Sequence, residues 1–122
     1  MEAISPQVMA EYRATVQRRE QKQRQDRMKR FIRAWDVAHT ASDLLKTRFR
    51  AQKVVVFGSL LHKERFTERS DIDLAVWGVE GVEFLEAVAQ LQDISEFKID
   101  LVAELYCDKS LWKIIEEEGV AL

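Results

Sequence analysis

A chain of 122 residues has the length of one ordinary domain, which excludes a second globular domain of normal size within it. Hydrophobic residues make up 47% and charged residues 33%, with only four Gly and one Pro, which excludes disordered and low-complexity proteins and favours a helix-rich globular domain. A single Cys excludes an internal disulfide, and with two His it argues against a zinc site of thiolates and imidazoles. Any metal would therefore have to be bound by oxygen ligands.

The apolar runs are only a few residues long, far short of the roughly 20 residues that cross a bilayer. The first residues also lack the apolar core of a signal peptide. We therefore expect a cytoplasmic protein that does not contact membranes.

Charge is divided unevenly along the chain. Residues 1–53 carry thirteen Lys or Arg and six acidic residues, whereas residues 54–122 carry six basic and fifteen acidic residues. This division is typical of a basic arm that binds an acidic partner, attached to an acidic body that repels nucleic acid or concentrates cations.

The first predicted element is a long helix. Ser5 is a suitable N-cap with Pro6 at the first helical position, and no Gly or Pro follows until Gly58, which predicts one long helix or two collinear helices over residues 7–49. Large apolar side chains recur at helical spacing from Met28 onward but are absent from residues 17–27, so we expect this middle part to project into solvent or to be covered by another chain. The basic run within residues 17–33 leaves three interpretations open, a solvated face, a protein-docking face or an RNA contact, and the lack of interleaved aromatic residues weakens the last.

The remaining elements alternate between strands and helices. A β-branched run at residues 53–57 and an alternating run at residues 71–77 predict two strands, residues 82–92 predict a helix through Val82, Leu85, Val88, Ala89 and Leu91, and residues 97–102 predict a third strand. A last helix is expected from a cap at Asp108 or Ser110 to Gly119, and the residues expected to face the core are Leu111, Trp112, Ile114 and Ile115. The fold class is therefore α/β (α+β): a small mixed sheet of at least three strands flanked by helices, divided into an N-terminal helical arm at 1–50 and a domain at 51–122.

Three carboxylates in the predicted strands suggest a metal site. Asp71 and Asp73 are two positions apart, so both leave the same face of a strand about 7 Å apart at their α-carbons, which is unfavourable unless a cation lies between them. Asp100 has a polar-facing position in the third strand and supplies a third ligand if the two strands are neighbours. The preferred ion is Mg²⁺, which binds carboxylate and phosphate oxygens. Before them in the chain, Gly58 permits a close backbone approach and Ser59 supplies a hydroxyl and N–H group for phosphate.

The order of these features resembles the nucleotidyltransferases of the DNA polymerase β superfamily, in particular the minimal nucleotidyltransferases. The pattern is a strand ending in Gly-Ser, a variable loop, Asp-x-Asp on the next strand and a third Asp on a later strand. Here it is Val54-Val55-Val56-Phe57-Gly58-Ser59, eleven residues, Asp71-Ile72-Asp73-Leu74-Ala75-Val76, and later Ile99-Asp100-Leu101-Val102. The resemblance covers about residues 50–120, and the ordered set is far more specific than any of its parts.

The resemblance implies a nucleotidyltransferase fold and a role for each matching residue. Asp71 and Asp73 would be ligands of two Mg²⁺ ions, and Asp100 the third ligand, placed to help activate an attacking hydroxyl. Gly58 and Ser59 would hold the β- and γ-phosphates of ATP. Ser70 and Lys63 are further expected nucleotide-binding residues. The implied reaction is attack of an acceptor oxygen on the α-phosphorus, with release of pyrophosphate.

The loop after Ser59 departs from the family pattern. Many relatives carry Arg and Gly there, whereas this loop begins Leu60-Leu61-His62-Lys63, so the candidates to replace the Arg are Lys63, Arg65 and Arg69. We also do not expect, in these 122 residues, the larger substrate domain of drug-modifying and RNA-tailing members.

Small members of this kind are typically the antitoxin of a pair with a helical HEPN ribonuclease toxin, which they silence by transferring AMP to a toxin tyrosine or by binding alone. We therefore expect AMPylation of a HEPN-type toxin from ATP with Mg²⁺. The alternatives are an inactive antitoxin or regulator that acts by binding, and, as a third reading, transfer to a small hydroxyl substrate such as an antibiotic. A nucleic-acid partner is not expected, and self-association through the N-terminal helix is left open.

Overall fold

The computed structural model describes residues 3–122, which form one mixed sheet packed between helices. The helices are α1 (Pro6–Arg48), α2 (Gly81–Gln92) and α3 (Lys109–Glu118), and the strands are β1 (Lys53–Phe57), β2 (Ile72–Trp77), β3 (Ile99–Val102) and β4 (Val120–Ala121). Short 3-10 turns lie at Gly58–Leu61 and Glu104–Tyr106. The strand order is β3-β2-β1-β4, with β2 and β3 parallel and the other pairs antiparallel. This confirms the predicted fold class.

Helix α1 is a single uninterrupted helix of 43 residues. Ser5 begins it as predicted, because its hydroxyl accepts a hydrogen bond from the Val8 N–H at 3.2 Å and Pro6 occupies the first turn. It ends where Arg50 adopts a left-handed φ of 57° and the Ala51 N–H donates to the Leu45 carbonyl. No helix among residues 3–122 is both long and apolar enough to cross a membrane.

The two halves of α1 have different surroundings. Residues 17–27 are exposed as predicted, and burial begins at Met28. From Phe31 onward the helix packs on the sheet through small and branched side chains, among them Ala34, Ala38, Ala41 and Leu45, all of which are fully buried. The sequence was divided at residue 50 into a helical arm and a domain. The second half of α1 lies before this division, yet its buried residues belong to the core of the domain.

The alternation predicted in β2 separates the two faces of the sheet. Ile72, Leu74 and Val76 are buried on the face covered by α1 and α2. On the other face, Ala75 of β2 packs with Trp112 and Ile115 of α3 in a second, smaller cluster. The polar positions of β2 lie on this second face because side chains of a strand alternate.

Two sequence expectations need correction. In α2 the buried residues are Phe84, Ala87 and Leu91, while Val82 and Leu85 are exposed, so the buried stripe is rotated from the predicted one. In α3 only Trp112 and Ile115 are buried, whereas Leu111 and Ile114, predicted to face the core, are exposed. Both helices contact the sheet along a single narrow line, which leaves the neighbouring apolar positions outside.

A fourth strand, β4, follows Gly119, in agreement with the prediction of at least three strands. Its two residues pair with β1, Val120 with Val56 and Ala121 with Val55. Two residues are too short to show any periodicity, so nothing in the sequence pattern could distinguish this strand from a chain end.

Candidate active site

The three predicted carboxylates lie together because of the β2–β3 register. The parallel pairing sets Asp73 beside Asp100 and Ile72 beside Ile99. One step earlier, the Ile72 N–H donates to the Lys98 carbonyl at 3.0 Å, so this register continues to Lys98. Since alternate residues of a strand share a face, the side chains of Asp71, Asp73, Lys98 and Asp100 form a two-by-two array on one face of the sheet, with strands about 4.8 Å apart. We call these four residues the carboxylate array.

The carboxylate array lies on the face of the sheet that carries α3, but outside the part that α3 covers. Trp112 and Ile115 pack on Val55 and Ala75 nearer the middle of the sheet. The side chains of Asp71 and Asp100 remain 37% and 45% exposed, and Asp73 is partly buried. The array is therefore open to a ligand from solvent while its central carboxylate is partly desolvated.

Gly58 brings the turn after β1 directly against Asp73. It has a φ of 75°, and a Cβ at this position would overlap the Asp73 Oδ2 atom and lie 3.3 Å from its Cγ. Both the left-handed backbone and the absence of a side chain are needed for this approach. Ser59 follows in the first turn of the 3-10 segment, partly buried. The predicted phosphate-binding dipeptide and the predicted metal ligands thus form one continuous site.

The charges of the array are only partly balanced. Lys98 Nζ lies 3.9 Å from Asp71 Oδ2 and 3.6 Å from Asp100 Oδ1. Burial, followed by the negative charges of Asp100 and Asp71, raises the pKa of Asp73 to about 6, and Lys98 opposes that rise. The central carboxylate therefore lacks a counter-ion of its own.

The donor set fits a magnesium ion by its chemistry. All three candidate ligands supply carboxylate oxygens, burial and then the neighbouring carboxylates raise the pKa of Asp73, and Gly58 leaves its carboxylate uncovered by a side chain. Within residues 3–122, however, no three Asp, Glu, His or Cys side chains are already gathered as a ready-made ligand cluster. Binding would therefore require the Asp side chains to turn towards the ion and Lys98 to move away.

Two of the predicted nucleotide-binding residues have other contacts. The Ser70 hydroxyl accepts a hydrogen bond from the Thr67 N–H at 2.9 Å and stabilises the loop before β2. Lys63 lines a groove of about 360 Å³ between this loop and α1, together with Arg24 and Arg27. The structure thus joins Gly58 to the carboxylate array, and it places Lys63 beside the basic part of α1. The roles of Ser70 and Lys63 in nucleotide binding stay predictions.

Arg65, a candidate to replace the missing Arg, lies on a different side of the loop from Lys63. With His62 it lines a cleft of about 570 Å³ that also includes Val120 of β4. This cleft lies next to the first turn after Gly58, since Leu61 is one of its walls.

Comparison with known proteins decides the family. Residues 39–122 match the family described as Polymerase beta, Nucleotidyltransferase. The chain belongs to this nucleotidyltransferase family. The match begins inside α1, in the part that packs on the sheet, and extends through β4.

A curated relative of this nucleotidyltransferase comes from Methanocaldococcus jannaschii and bears the name "Putative protein adenylyltransferase MJ0128". The two chains are 32% identical over 78 residues, which cover 62% of this chain and 79% of the relative. No solved structure matches the chain significantly. The family resemblance stated from the motifs is thereby confirmed.

Sequence reasoning about this nucleotidyltransferase missed Lys98 as a member of the site. The signal was present, because Lys98 is two positions before Asp100 and must share its face in a strand. Its contact with Asp71, in contrast, depends on β2 and β3 being parallel neighbours in one particular register.

Proposed function

We propose that the chain is a Mg²⁺-dependent nucleotidyltransferase that transfers AMP from ATP to a tyrosine hydroxyl of a partner protein, a HEPN-type toxin, and so acts as an antitoxin. The observation that carries the chemistry is the carboxylate array, three Asp side chains on one sheet face with Gly58 against the central one. The family membership supports nucleotidyl transfer, and the relative's name supports a protein acceptor.

Each part of the site has a distinct role in this proposal. Asp71 and Asp73 hold the metal ions, which when bound screen the triphosphate and stabilise the attacking and leaving oxygens. The backbone at Gly58 and the Ser59 hydroxyl hold the β- and γ-phosphates. The tyrosine oxygen forms a bond to the α-phosphorus, the bond from that phosphorus to pyrophosphate breaks, and Asp100 accepts the hydroxyl proton and passes it to solvent.

The proposed docking surface for the partner is the part of α1 before Met28, which does not pack on the sheet and which we call the free part of α1. Val8 and Tyr12 are more than half exposed and, four residues apart, share one face of the helix, with Ile4 exposed just before it. Among residues 13–30, which follow, eight are basic and two acidic, and residues 17–27 are all exposed, which suits an acidic partner surface. Self-association through the same face, giving a homo-oligomer, is the competing arrangement.

A second candidate function is neutralisation by binding alone, without transfer. It is favoured by Lys98, which already partly balances the charges of Asp71 and Asp100, and by the absence of the family's Arg after Ser59, where Leu60 is instead fully buried. In this case the carboxylate array would be a remnant and α1 the functional surface.

The test is transfer of label from α-labelled ATP, with Mg²⁺, to proteins in a lysate of the source cells. The wild type is compared with Asp73→Asn and with the control Asp93→Asn, which changes an exposed Asp at the end of α2 in the same way. We expect a labelled band that disappears with Asp73→Asn and persists with Asp93→Asn, and its mass and labelled residue identify the acceptor.

Absence of a band, with the unmodified partner shown to be present and bound, would contradict the transferase proposal and support binding alone. A band on a tyrosine of a helical ribonuclease would support the full proposal. Label transferred to a small molecule, with no labelled protein, would support the antibiotic-type alternative instead.

A further inference from the structure

Lys98 contacts two of the three candidate metal ligands. Its ammonium nitrogen lies 3.9 Å from Asp71 Oδ2 and 3.6 Å from Asp100 Oδ1, so one positive charge lies between two candidate ligands that belong to different strands. We propose that Lys98 is a built-in counter-ion that partly balances the charges of Asp71 and Asp100 in the metal-free protein and competes with Mg²⁺ for them. This inference rests on the proposed function, since it assumes that the array binds a divalent ion.

The backbone fixes the origin of the Lys98 side chain. The hydrogen bond from the Ile72 N–H to the Lys98 carbonyl continues the β2–β3 ladder, which places Lys98 beside Asp71 and two positions from Asp100. The ammonium can reach both carboxylates from this position without any movement of the strands. The contact is therefore a consequence of strand register and not of a loop conformation.

The side chain itself is free to leave. It is 67% exposed, and a Lys side chain is a flexible stem with a strongly hydrated charge, so solvent can accept it when an ion enters. Exposed ion pairs of this kind are weak, so Lys98 would lower the affinity for a divalent ion without preventing its binding. A divalent ion also gains Asp73, which Lys98 leaves without a counter-ion, and the phosphates of a bound nucleotide.

Lys98 therefore sets the affinity of the carboxylate array for a divalent ion. Without the ammonium, Asp71 and Asp100 would have no competing cation and the ion would bind more tightly. With it, the array is partly neutralised and an entering ion has to displace the ammonium.

The test measures Mn²⁺ binding to the full chain by calorimetry, without nucleotide, at pH 8 and low ionic strength. We expect Lys98→Met to bind Mn²⁺ about three- to tenfold more tightly than the wild type, because two weak ion pairs no longer compete. Lys98→Arg keeps the charge and should remain within about twofold of the wild type. Lys22→Met is the matched control, since it removes the same charge from an exposed position of α1 and should also have no effect beyond about twofold.

Unchanged or weaker Mn²⁺ binding by Lys98→Met would overturn the inference, as would equal tightening by Lys22→Met, which would indicate net charge alone. Circular dichroism verifies the fold of each variant, and Lys98→Gln replaces Lys98→Met if the latter does not fold.

Asp73→Asn separates this inference from the proposed function. If Asp73→Asn abolishes Mn²⁺ binding while Lys98→Met leaves it unchanged, the array is the metal site and only the role of Lys98 is wrong. If Asp73→Asn binds Mn²⁺ as the wild type does, the ion binds elsewhere and both proposals are wrong.

Discussion

Asp73 of β2 and Asp100 of β3 are cross-strand partners in a parallel pair, and the negative charge of Asp100 contributes to the raised pKa of Asp73. The chain between them runs through α2, the crossover that a parallel connection requires. Two carboxylates that are distant in the sequence are thus held side by side by backbone hydrogen bonds. The sheet opposes their repulsion, which leaves a place where a cation is favoured.

The raised pKa of Asp73 predicts a pH-dependent stability. In the unfolded chain this carboxyl ionises near pH 4, whereas in the fold it keeps its proton up to about pH 6, so the native state binds more protons between these values and stability falls as pH rises through this window. Asp73→Asn removes this loss. Because the side chain is only partly buried, we expect a gain of about 1 kcal/mol at pH 7.5 and little change at pH 4.

Urea unfolding of both proteins without divalent ions, at several pH values between 4 and 8, checks this. The difference in unfolding free energy between the two proteins at each pH removes the contributions of the other titrating groups, which both proteins share. Parallel curves for wild type and Asp73→Asn across this range would contradict the prediction.

Gly58→Ala is expected to be costly for two separable reasons. The first is the left-handed φ of 75°, and the second is overlap of the new Cβ with the Asp73 carboxylate. Gly81→Ala is the matched control, because Gly81 has a φ of 63° but no atom within 4 Å of an added Cβ. We expect a loss of about 1 kcal/mol for Gly81→Ala and about 2–3 kcal/mol for Gly58→Ala.

Chemical denaturation measures both losses, and Mn²⁺ titration measures whether only Gly58→Ala also weakens metal binding. Equal losses for the two variants would show that the approach of Gly58 to Asp73 does not contribute to stability.

The free part of α1 should contribute little to the stability of the domain. Its side-chain hydrogen bonds are local, from Thr15 to the Glu11 carbonyl and from Arg18 to Thr15, and burial against the core begins near Met28. A chain that begins at Gln21 should lose helical signal in circular dichroism but change its free energy of unfolding by less than about 0.5 kcal/mol.

A loss that is large in concentrated protein and shrinks on dilution would instead indicate that α1 mediates self-association, because association stabilises only the full-length chain and only at high concentration. If truncation lowers the free energy of unfolding by more than about 1 kcal/mol at every protein concentration, then residues before Gln21 stabilise the domain and α1 is not divided into a free and a packed part.

The part of α1 that packs on the sheet should behave in the opposite way. Leu45 is fully buried beneath the sheet, so Leu45→Ala should destabilise the fold by about 2–5 kcal/mol. Leu85→Ala makes the same change at a residue of α2 that is 67% exposed, and should cost less than about 0.5 kcal/mol. Thermal and urea unfolding measure both, and similar losses would show that the buried faces of α1 and α2 are assigned incorrectly.

The sequence was sufficient to predict the secondary structure around the site. Ser5 and Pro6 marked the start of α1, and the alternation of Ile72, Leu74 and Val76 predicted the buried face of β2, because capping and side-chain periodicity are local properties. The same reasoning mispredicted the buried faces of α2 and α3. Both helices carry apolar residues on more of their circumference than the sheet covers, so only packing could select among them.

The sequence by itself determined the chemistry that is present: three carboxylates without a zinc-type ligand set, a Gly-Ser turn and a basic helix. Only the tertiary structure decided which of these groups meet. Asp73 touches the Gly58 turn through antiparallel pairing with β1, and it lies beside Asp100 through parallel pairing with β3. Lys98 joins them because the same register continues one step further. Strand order and register depend on the whole core, since a shift of one residue would turn every one of these side chains to the opposite face.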